Sequence, residues 1–533
     1  MKRRDFLKTG AMAWAMAIGH PFLEKFIAEA AIEPFDIQEA TILQMQEKLS
    51  SGEITAQWLT ETYLKRIDQI DKHGPAINAV IEINPEALEI AEALDRERKE
   101  KGSRGPLHGI PILIKDNIDT DDRMMTTAGS LALLGSRPSQ DAFVAQKLRE
   151  AGAVILGKTN LSEWANFRSS TSTSGWSGRG GQTKNPYVLD RNPCGSSSGS
   201  GSAVSANLCA AAIGTETDGS VVCPSSNCSL VGIKPTLGLV SRAGIIPIAH
   251  SQDTAGPMTR TVTDAAILLG ALTGIDPRDK TTNGSRGKAS SDYTKFLDKD
   301  GLRGARLGVN RESFGSNDKV VERMNELIQE MKTLGAVFVD PANLPTEGQF
   351  NDSEFEVLLY EFKADLNAYL ALLDPDVPVH SLKEVIDFNE KNREKEMPYF
   401  GQDLLIKSQE KGPLTSKKYL NALRKNHLLT RAKGIDFVMK QHKLDAMIAL
   451  TGGPPWFTDL INGDHFTGGY SSASAVAGYP HITVPAGYVS GLPIGISFFA
   501  SAYSEPTLFK LAYAFEQATK IRRPPQFLPE VKL

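Results

Sequence analysis

The stretch from Asn192 to Thr236 constrains the fold of this chain more than any other segment. It contains two clusters rich in serine and glycine, residues 195–202 and 214–220, which flank the apolar run 203–213. This pattern predicts two loops that present hydroxyl and backbone N–H groups, joined by a small-residue helix. A flexible linker is the alternative. However, the apolar run and the strand-like residues 230–233 have the composition of buried elements, which favours a functional site.

The overall composition is that of an ordinary globular enzyme and excludes several kinds of partner. Of 533 residues, 41% are hydrophobic and 23% are charged, which is enough apolar material for a large core. The net charge is −4 and no basic stripe stands out beyond the N-terminus, so neither nucleic acid nor an anionic membrane is expected as a partner.

All four cysteines fall inside the Asn192–Thr236 stretch instead of being spread along the chain as a disulfide framework. They have no zinc-like spacing with a histidine pair. We therefore expect Cys194, Cys209, Cys223 and Cys228 to be small buried residues, and we expect no metal and no cofactor.

The first thirty residues have the pattern of an export signal. Lys2–Lys8 carries the paired arginines Arg3 and Arg4, residues 10–19 are apolar, and residues 28–30 offer a small-residue cleavage site. This pattern predicts a twin-arginine signal peptide over residues 1–30 and a periplasmic or secreted protein. Because that route exports folded proteins, reliance on periplasmic disulfides is not expected. An amphipathic helix of the mature protein is the alternative, and the apolar stretch is too short for a permanent membrane span.

Beyond the signal, the chain alternates between helical and strand-like segments. Two amphipathic helices are predicted between residues 36 and 70, the first with Thr41 and Gln44 at capping-box spacing, and a third helix begins at Pro85. Residues 275–440 are charged and predicted to be a variable helix-rich segment. Short apolar runs from Leu444 onward indicate sheet strands, and the loop between them carries aromatic residues.

Lys115 is the first candidate for chemistry, because it directly follows the apolar strand-like run of residues 110–114. A lysine at the end of a buried strand loses solvation, which lowers its pKa. A surface lysine that extends from a strand end into solvent is the alternative.

Two other motifs are weaker than they look. The pattern Gly152, Gly157, Lys158, Thr159 matches a phosphate loop, but the residues between the glycines form the body of a predicted strand, so nucleotide binding is not expected. Residues 195–199 match a nucleophile elbow centred on Ser197, yet the preceding residues are turn-like and not strand-like.

Several long motifs in order resemble the amidase-signature hydrolases over nearly the whole mature chain. They are HGIPILIKDN, CGSSSGSGSA, GTETDGSVVCP, GIKPT, SQDTAGPMTRTVTDAA and VPAG with GLPIGI. The segments ETDGS and NLSEWANFRS look most like the bacterial peptide amidase branch. The resemblance implies one large α/β domain over residues 36–533, with a mixed twisted sheet covered by helices on both faces.

The resemblance also implies roles for individual residues. The catalytic lysine falls on Lys115, the bridging serine on Ser196, with a cis peptide bond from Gly195, and the nucleophile on Ser220. Backbone N–H groups of an oxyanion hole fall on Thr217, Asp218, Gly219 and Ser220. These residue types suit amide hydrolysis, because the reaction needs a nucleophile, a base to activate it and donors for the oxyanion.

One departure from the family pattern concerns the acid Glu216. Many members of the family carry an arginine where this chain has Val222, and that arginine is the usual partner of the acid. We therefore expect Arg168 to replace it and to pair with Glu216 or Asp218.

The sequence thus predicts an exported amidohydrolase that cleaves carboxamides, with C-terminal peptide amides as candidate substrates. Ser197, Trp456 and Tyr470 are predicted to contact the small-molecule or peptide substrate, and the oligomeric state is left open. The alternatives are a non-catalytic receptor or docking module on the same fold, and an α/β-hydrolase-type esterase that uses Ser197.

Overall fold

The computed structural model describes residues 35–531. The predicted signal peptide, residues 1–30, lies outside the described residues. The chain divides into two compact units, Met1–Gln38 and Glu39–Leu533, and all of the regular elements that follow belong to the second.

A mixed sheet of eleven strands forms the centre of this second unit over its described residues. Its strands lie side by side in the order β1-β3-β2-β6-β8-β7-β12-β13-β11-β9-β10, and β4 and β5 form a separate small ribbon. The strands are β1 Val80–Ile83, β2 Pro111–Lys115, β3 Val154–Thr159, β4 Trp176–Ser177, β5 Gly181–Gln182, β6 Ala211–Glu216, β7 Val231–Lys234, β8 Thr254–Thr259, β9 Arg306–Val309, β10 Val337–Val339, β11 Ala446–Gly452, β12 His481–Val489 and β13 Leu492–Phe499.

Helices flank the sheet, which confirms the predicted α/β architecture. For example, the helix Val262–Leu272 packs on β8, and the last helix packs on β12 and β13. The α-helices are Ile42–Ser51, Ala56–Arg66, Ala87–Lys101, Phe143–Glu150, Ser198–Ser205, Val222–Asn227, Val262–Leu272, Asp318–Thr333, Asn351–Leu370, Leu382–Lys391, Arg393–Glu396, Asp403–Gln409, Lys417–His427, Asp436–His442, Ser472–Ala477 and Glu505–Thr519. Among residues 35–531, no helix combines the length and the apolar character needed to cross a membrane.

Several local predictions are confirmed. Thr41 caps the first helix in a capping box with Gln44, because each side chain bonds the other residue's backbone N–H. The phosphate-loop pattern lies in β3, so its central residues are indeed a strand. The third predicted helix begins at Ala87, two residues later than expected.

One prediction about secondary structure was wrong and another was incomplete. The helix covers most of the first serine and glycine cluster and only the start of the apolar run, at Ser198–Ser205, and the end of the apolar run enters the sheet as the start of β6. The segment 275–440 is rich in helices but also supplies β9 and β10, which extend the sheet as a parallel pair. These strands have four and three residues, so their apolar pattern is too short to recognise.

The pairing of β2 with β6 determines where the candidate site forms. The two strands are parallel neighbours, and Ile114 lies opposite Ile213. Because the carboxyl ends of parallel neighbours lie at the same edge of a sheet, Lys115 at the end of β2 is brought beside Thr215 near the end of β6.

Candidate active site

Lys115 lies in a fully buried polar pocket at the end of β2. Its Nζ donates hydrogen bonds to Ser196 Oγ at 2.7 Å and to Thr215 Oγ1 at 2.9 Å. Burial lowers the pKa of Lys115 from its ordinary 10.5 to about 7, although the charges of Asp253 and Glu216 act in the opposite direction. A substantial fraction of this amine is therefore neutral near neutral pH, as a general base requires.

Ser196 and Ser220 come from different segments and line the same cavity of about 570 Å³. The peptide bond between Gly195 and Ser196 is cis. Ser220 lies in the turn that follows β6, and its carbonyl accepts a hydrogen bond from the N–H of Ser197 at 3.2 Å. The structure therefore places a lysine–serine hydrogen bond and a second serine at one cavity wall.

Side-chain hydrogen bonds hold the turn between β6 and the next helix in place. Glu216 Oε2 accepts hydrogen bonds from the N–H groups of Val221 at 2.8 Å and Val222 at 3.0 Å. Asp218 is held by the hydroxyl groups of Ser471 and Ser472, each at 2.6 Å. The turn residues that line the cavity are those predicted for the oxyanion hole: Thr217, Asp218, Gly219 and Ser220.

The prediction that Arg168 pairs with Glu216 or Asp218 was wrong. Arg168 is fully buried, and its guanidinium contacts Glu163 at 2.8 Å and Glu396 at 3.6 Å. Glu216 is held instead through Oε2 by the backbone N–H groups described above, whereas its Oε1 is buried without a hydrogen-bond partner among the described residues. Burial raises the pKa of Glu216, and the charge of Lys234 opposes this rise. A buried carboxylate can thus be held by backbone donors, which a search for charged partners in the sequence does not reveal.

Two of the four cysteines form a disulfide that the sequence analysis did not predict. Cys194 and Cys223 form a disulfide with their Cα atoms 5.9 Å apart, and both residues line the cavity. Cys209 and Cys228 are free and buried, as expected. The sequence did not reveal this bond, because the two cysteines are 29 residues apart and meet only after β6 has returned the chain to the same edge of the sheet.

Ser197 was predicted to contact the substrate, but it does not line the cavity. Its side chain is fully buried, donates to the carbonyl of Thr215 at 3.1 Å and accepts from the N–H of Thr215 at 3.2 Å. No strand immediately precedes it. These bonds tie the Ser196 segment to β6 and remove Ser197 as both a substrate contact and the nucleophile of an elbow.

The two predicted aromatic contacts are placed differently. Tyr470 lines the cavity and stacks on Phe499 with ring centroids 4.0 Å apart. Trp456 lies behind the cavity wall, where it packs on Phe466 at 4.6 Å. Phe466, which was not predicted to contact the substrate, also lines the cavity, and it is 64% exposed.

Glu347 is a further cavity residue that the sequence analysis did not single out. One of its carboxylate oxygens is buried without a hydrogen-bond partner among the described residues. Burial, together with the nearby charge of Asp218, raises the pKa of Glu347 to about 7. Among the described residues that line the cavity, Asp218 and Glu347 are acidic and none is a lysine, arginine or histidine. The cavity lining is therefore acidic. The sequence did not indicate this charge, because Glu347 comes from a segment in which no motif marks it.

One group of side chains among the described residues has the spacing of a metal site. Ligand atoms of His250, Glu361 and Asp365 lie within 4.8 Å of one another. His250 Nδ1 bonds Asp365 at 2.8 Å, and Glu361 accepts from Tyr419 Oη at 2.7 Å and from the N–H of Ser251 at 2.9 Å. These contacts pair the three side chains with one another and with neighbouring groups and do not involve Lys115, so the candidate chemistry does not depend on them.

Comparison with known proteins defines the class of this fold and site. The family model described as Amidase matches residues 58–509. A probable amidase from Arabidopsis thaliana is 45% identical over 506 residues, which cover 93% of each chain. A putative amidase from Schizosaccharomyces pombe is 38% identical over 522 residues, with 92% of this chain and 87% of that protein covered.

A solved structure gives the same answer. The native peptide amidase from Stenotrophomonas maltophilia matches with a TM-score of 0.89 and 48% sequence identity, over 93% of this chain and 100% of that one. The protein is therefore a hydrolase that acts on C–N bonds. It belongs to the amidase-signature family, as the sequence motifs predicted.

Proposed function

We propose that the protein hydrolyses carboxamides through an acyl-enzyme, with Ser220 as the nucleophile, Ser196 as the proton relay and Lys115 as the general base. The observation that carries this proposal is the 2.7 Å hydrogen bond between Lys115 and Ser196 in the wall of the cavity that also contains Ser220. A neutral lysine is required, and the burial of Lys115 supplies it.

The proton path follows from this arrangement. As Ser220 Oγ attacks the amide carbon, its proton passes to Ser196 Oγ while the proton of Ser196 passes to Lys115 Nζ. When the tetrahedral intermediate collapses, the C–N bond breaks and the path runs in reverse, so that the leaving nitrogen departs as a neutral amine or ammonia. Water then attacks the ester of Ser220 with the same groups as base, and the carboxylic acid is released.

The oxyanion of each tetrahedral intermediate needs preorganised donors. The backbone N–H groups of the turn at residues 217–220 are the proposed donors, and the position of this turn in the cavity lining directly after β6 supports that role. The two hydrogen bonds to Glu216 fix the far side of the turn, so the donors do not have to reorganise during the reaction.

We further propose peptide amides as the substrates, cleaved at an uncharged carboxamide. The cavity has the volume to accept a peptide side chain, with Tyr470 and Phe466 as apolar walls. Its acidic lining disfavours substrates that carry a free carboxylate beside the scissile bond. The 48% identity to a peptide amidase supports the same substrate class.

Substitution of the three proposed groups tests this function. Ser220→Ala, Ser196→Ala and Lys115→Ala are each expected to lower kcat for a peptide amide by about 10³-fold or more, measured as ammonia release. Ser220→Ala is also expected to abolish labelling by a fluorophosphonate. Ser202→Ala is the matched control, since its hydroxyl bonds the carbonyl of Lys184 and does not line the cavity. Near-normal turnover in all three variants would refute the assignment.

We also propose that the protein is exported by the twin-arginine route. The paired Arg3 and Arg4 before an apolar run support this proposal. The Cys194–Cys223 disulfide was not expected for this route, although a disulfide is itself typical of an oxidising compartment. Cell fractionation of the full chain is expected to place the protein outside the cytoplasm, and Arg3→Lys with Arg4→Lys is expected to retain it inside. Equal distribution of both forms would contradict export.

A further inference from the structure

The disulfide between Cys194 and Cys223 joins the two segments that carry the proposed proton path. Cys194 precedes Ser196 by two residues, and Cys223 follows Ser220 by three. Both cysteines line the cavity. The bond therefore lies within a few residues of each reacting hydroxyl and spans the gap between their segments.

On the Ser196 side, the backbone is held in a conformation that needs support. Cys194 has φ +62°, a left-handed conformation that is disfavoured for a residue with a Cβ atom. Its N–H donates to Asn192 Oδ1 at 2.8 Å, and its carbonyl accepts from Ser198 Oγ at 2.6 Å. The disulfide adds a restraint on the side chain of this residue, which immediately precedes the Gly195–Ser196 peptide.

On the Ser220 side, the disulfide is attached to the first turn of the helix Val222–Asn227. The N–H of Cys223 donates to the carbonyl of Gly219 at 2.8 Å. Between the two segments, the hydrogen bond from the N–H of Ser197 to the carbonyl of Ser220 is longer, at 3.2 Å. The disulfide is thus a covalent connection between the two segments, in addition to this backbone hydrogen bond.

We propose that the Cys194–Cys223 disulfide is a positioning element that keeps Ser196 and Ser220 in register for proton transfer. The inference rests on the proposed roles of these two serines. Because a displacement of about 1 Å at reacting groups can lower a rate about 10²-fold, loss of the bond acts on the chemical step more than on substrate binding. The disulfide is not a catalytic residue, since it acts through the serines that it holds.

The first test establishes that the bond exists in the protein. Protein unfolded without reductant and treated with a thiol reagent is expected to show two thiols, those of Cys209 and Cys228, and four after reduction. The reductant is a dithiol: it gives two electrons and two protons to the protein, which gains two thiols, and becomes a cyclic disulfide itself. Four thiols before reduction would overturn the proposal.

The second test measures the effect on turnover. Folded enzyme in which reduction of the bond has been verified is expected to lose about ten-fold or more in kcat, with KM for a peptide amide changed less than about two-fold. Labelling of Ser220 by a fluorophosphonate is expected to slow in parallel. The double variant Cys194→Ala with Cys223→Ala is expected to show the lowered kcat and to ignore the dithiol, whereas Cys228→Ala is expected to respond as the parent does.

Circular dichroism and thermal unfolding at the assay temperature separate positioning from general stability. A loss of activity that only follows the unfolded fraction would overturn the proposal, as would an unchanged kcat after verified reduction. Failure of the proposed function can be distinguished from failure of this proposal. The proposed function fails if Ser220→Ala retains turnover, and that result leaves the thiol count and the response to the dithiol unchanged.

Discussion

The pH dependence of turnover tests whether Lys115 acts as a neutral base. Its pKa of about 7 makes half of the amine neutral at pH 7, and roughly 9% and 1% neutral at pH 6 and pH 5. A lysine at its ordinary pKa of 10.5 would be neutral only about 0.03% of the time at pH 7, some three orders of magnitude less. The difference corresponds to about 5 kcal/mol, which burial supplies.

The expected result is that kcat/KM for a peptide amide falls about ten-fold per pH unit below pH 7 and levels off above pH 8. The sign follows from the neutral form being active, since protons that bind Lys115 at low pH remove the base. The measurement is ammonia release between pH 5 and pH 9, with folded protein verified at each pH.

Asp253→Asn makes the test specific to Lys115. The charge of Asp253 raises the pKa of Lys115, so its removal is expected to move the acid limb to lower pH. Asparagine can keep the local bonds, because one oxygen of Asp253 accepts from backbone N–H groups at 2.9 Å and the other faces Thr217 Oγ1.

A second buried lysine provides the control. Lys158 at the end region of β3 is also fully buried and also has a lowered pKa, but it bonds Thr126 and the carbonyl of Ile118 outside the cavity. Lys158→Met is expected to leave the acid limb where it is. A profile that is flat from pH 5 to pH 9, or one that Lys158→Met moves and Asp253→Asn does not, would refute the reasoning.

Three further predictions follow from buried or cavity-lining charges. Lys115→Met removes a buried amine. Between pH 7 and pH 10 this amine is protonated in the unfolded parent and neutral in the folded parent. The free energy of unfolding of the parent, measured in urea, should therefore rise relative to that of the variant by about 1.4 kcal/mol per pH unit in that window. Arg168→Met leaves the carboxylates of Glu163 and Glu396 buried without their cation, and urea unfolding should show a loss of about 3–5 kcal/mol. At pH 9, where Glu347 is ionised, Glu347→Gln should raise kcat/KM roughly ten-fold for an amide with a neighbouring free carboxylate and leave a neutral peptide amide unchanged, because it removes a cavity charge. Equal changes for both substrates would contradict that explanation.

The sequence was sufficient for the parts of the site that local motifs carry. Lys115 was found because an apolar run of strand length ends at it, and the structure places it at the end of β2. Ser196 and Ser220 were identified by family resemblance, and the structure brings both to one cavity. Their convergence depends on the parallel pairing of β2 with β6, which is a tertiary property that no local pattern specifies.

The parts that were missed depend on partners distant in sequence. Glu347 reaches the cavity from the variable segment, where no motif marks it. The partners of Arg168 include Glu396, 228 residues away. The sequence alone does not show which of many carboxylates pairs with Arg168. It also does not show that backbone N–H groups hold Glu216.

The helix Ser198–Ser205 explains why a stretch that resembles a linker forms the centre of an enzyme. A Cβ atom at Gly199 would lie 2.3 Å from the carbonyl oxygen of Ala79 and 2.4 Å from that of Asn160, so any larger residue would push the helix outward. Serine and glycine are poor helix formers in isolation, and the helix exists because its backbone packs directly against the neighbouring strand ends. That close approach also fixes the peptide that precedes it. The small residues thus permit close packing and do not provide flexibility. They allow Ser196, just before the helix, to lie within hydrogen-bonding reach of the amine of Lys115.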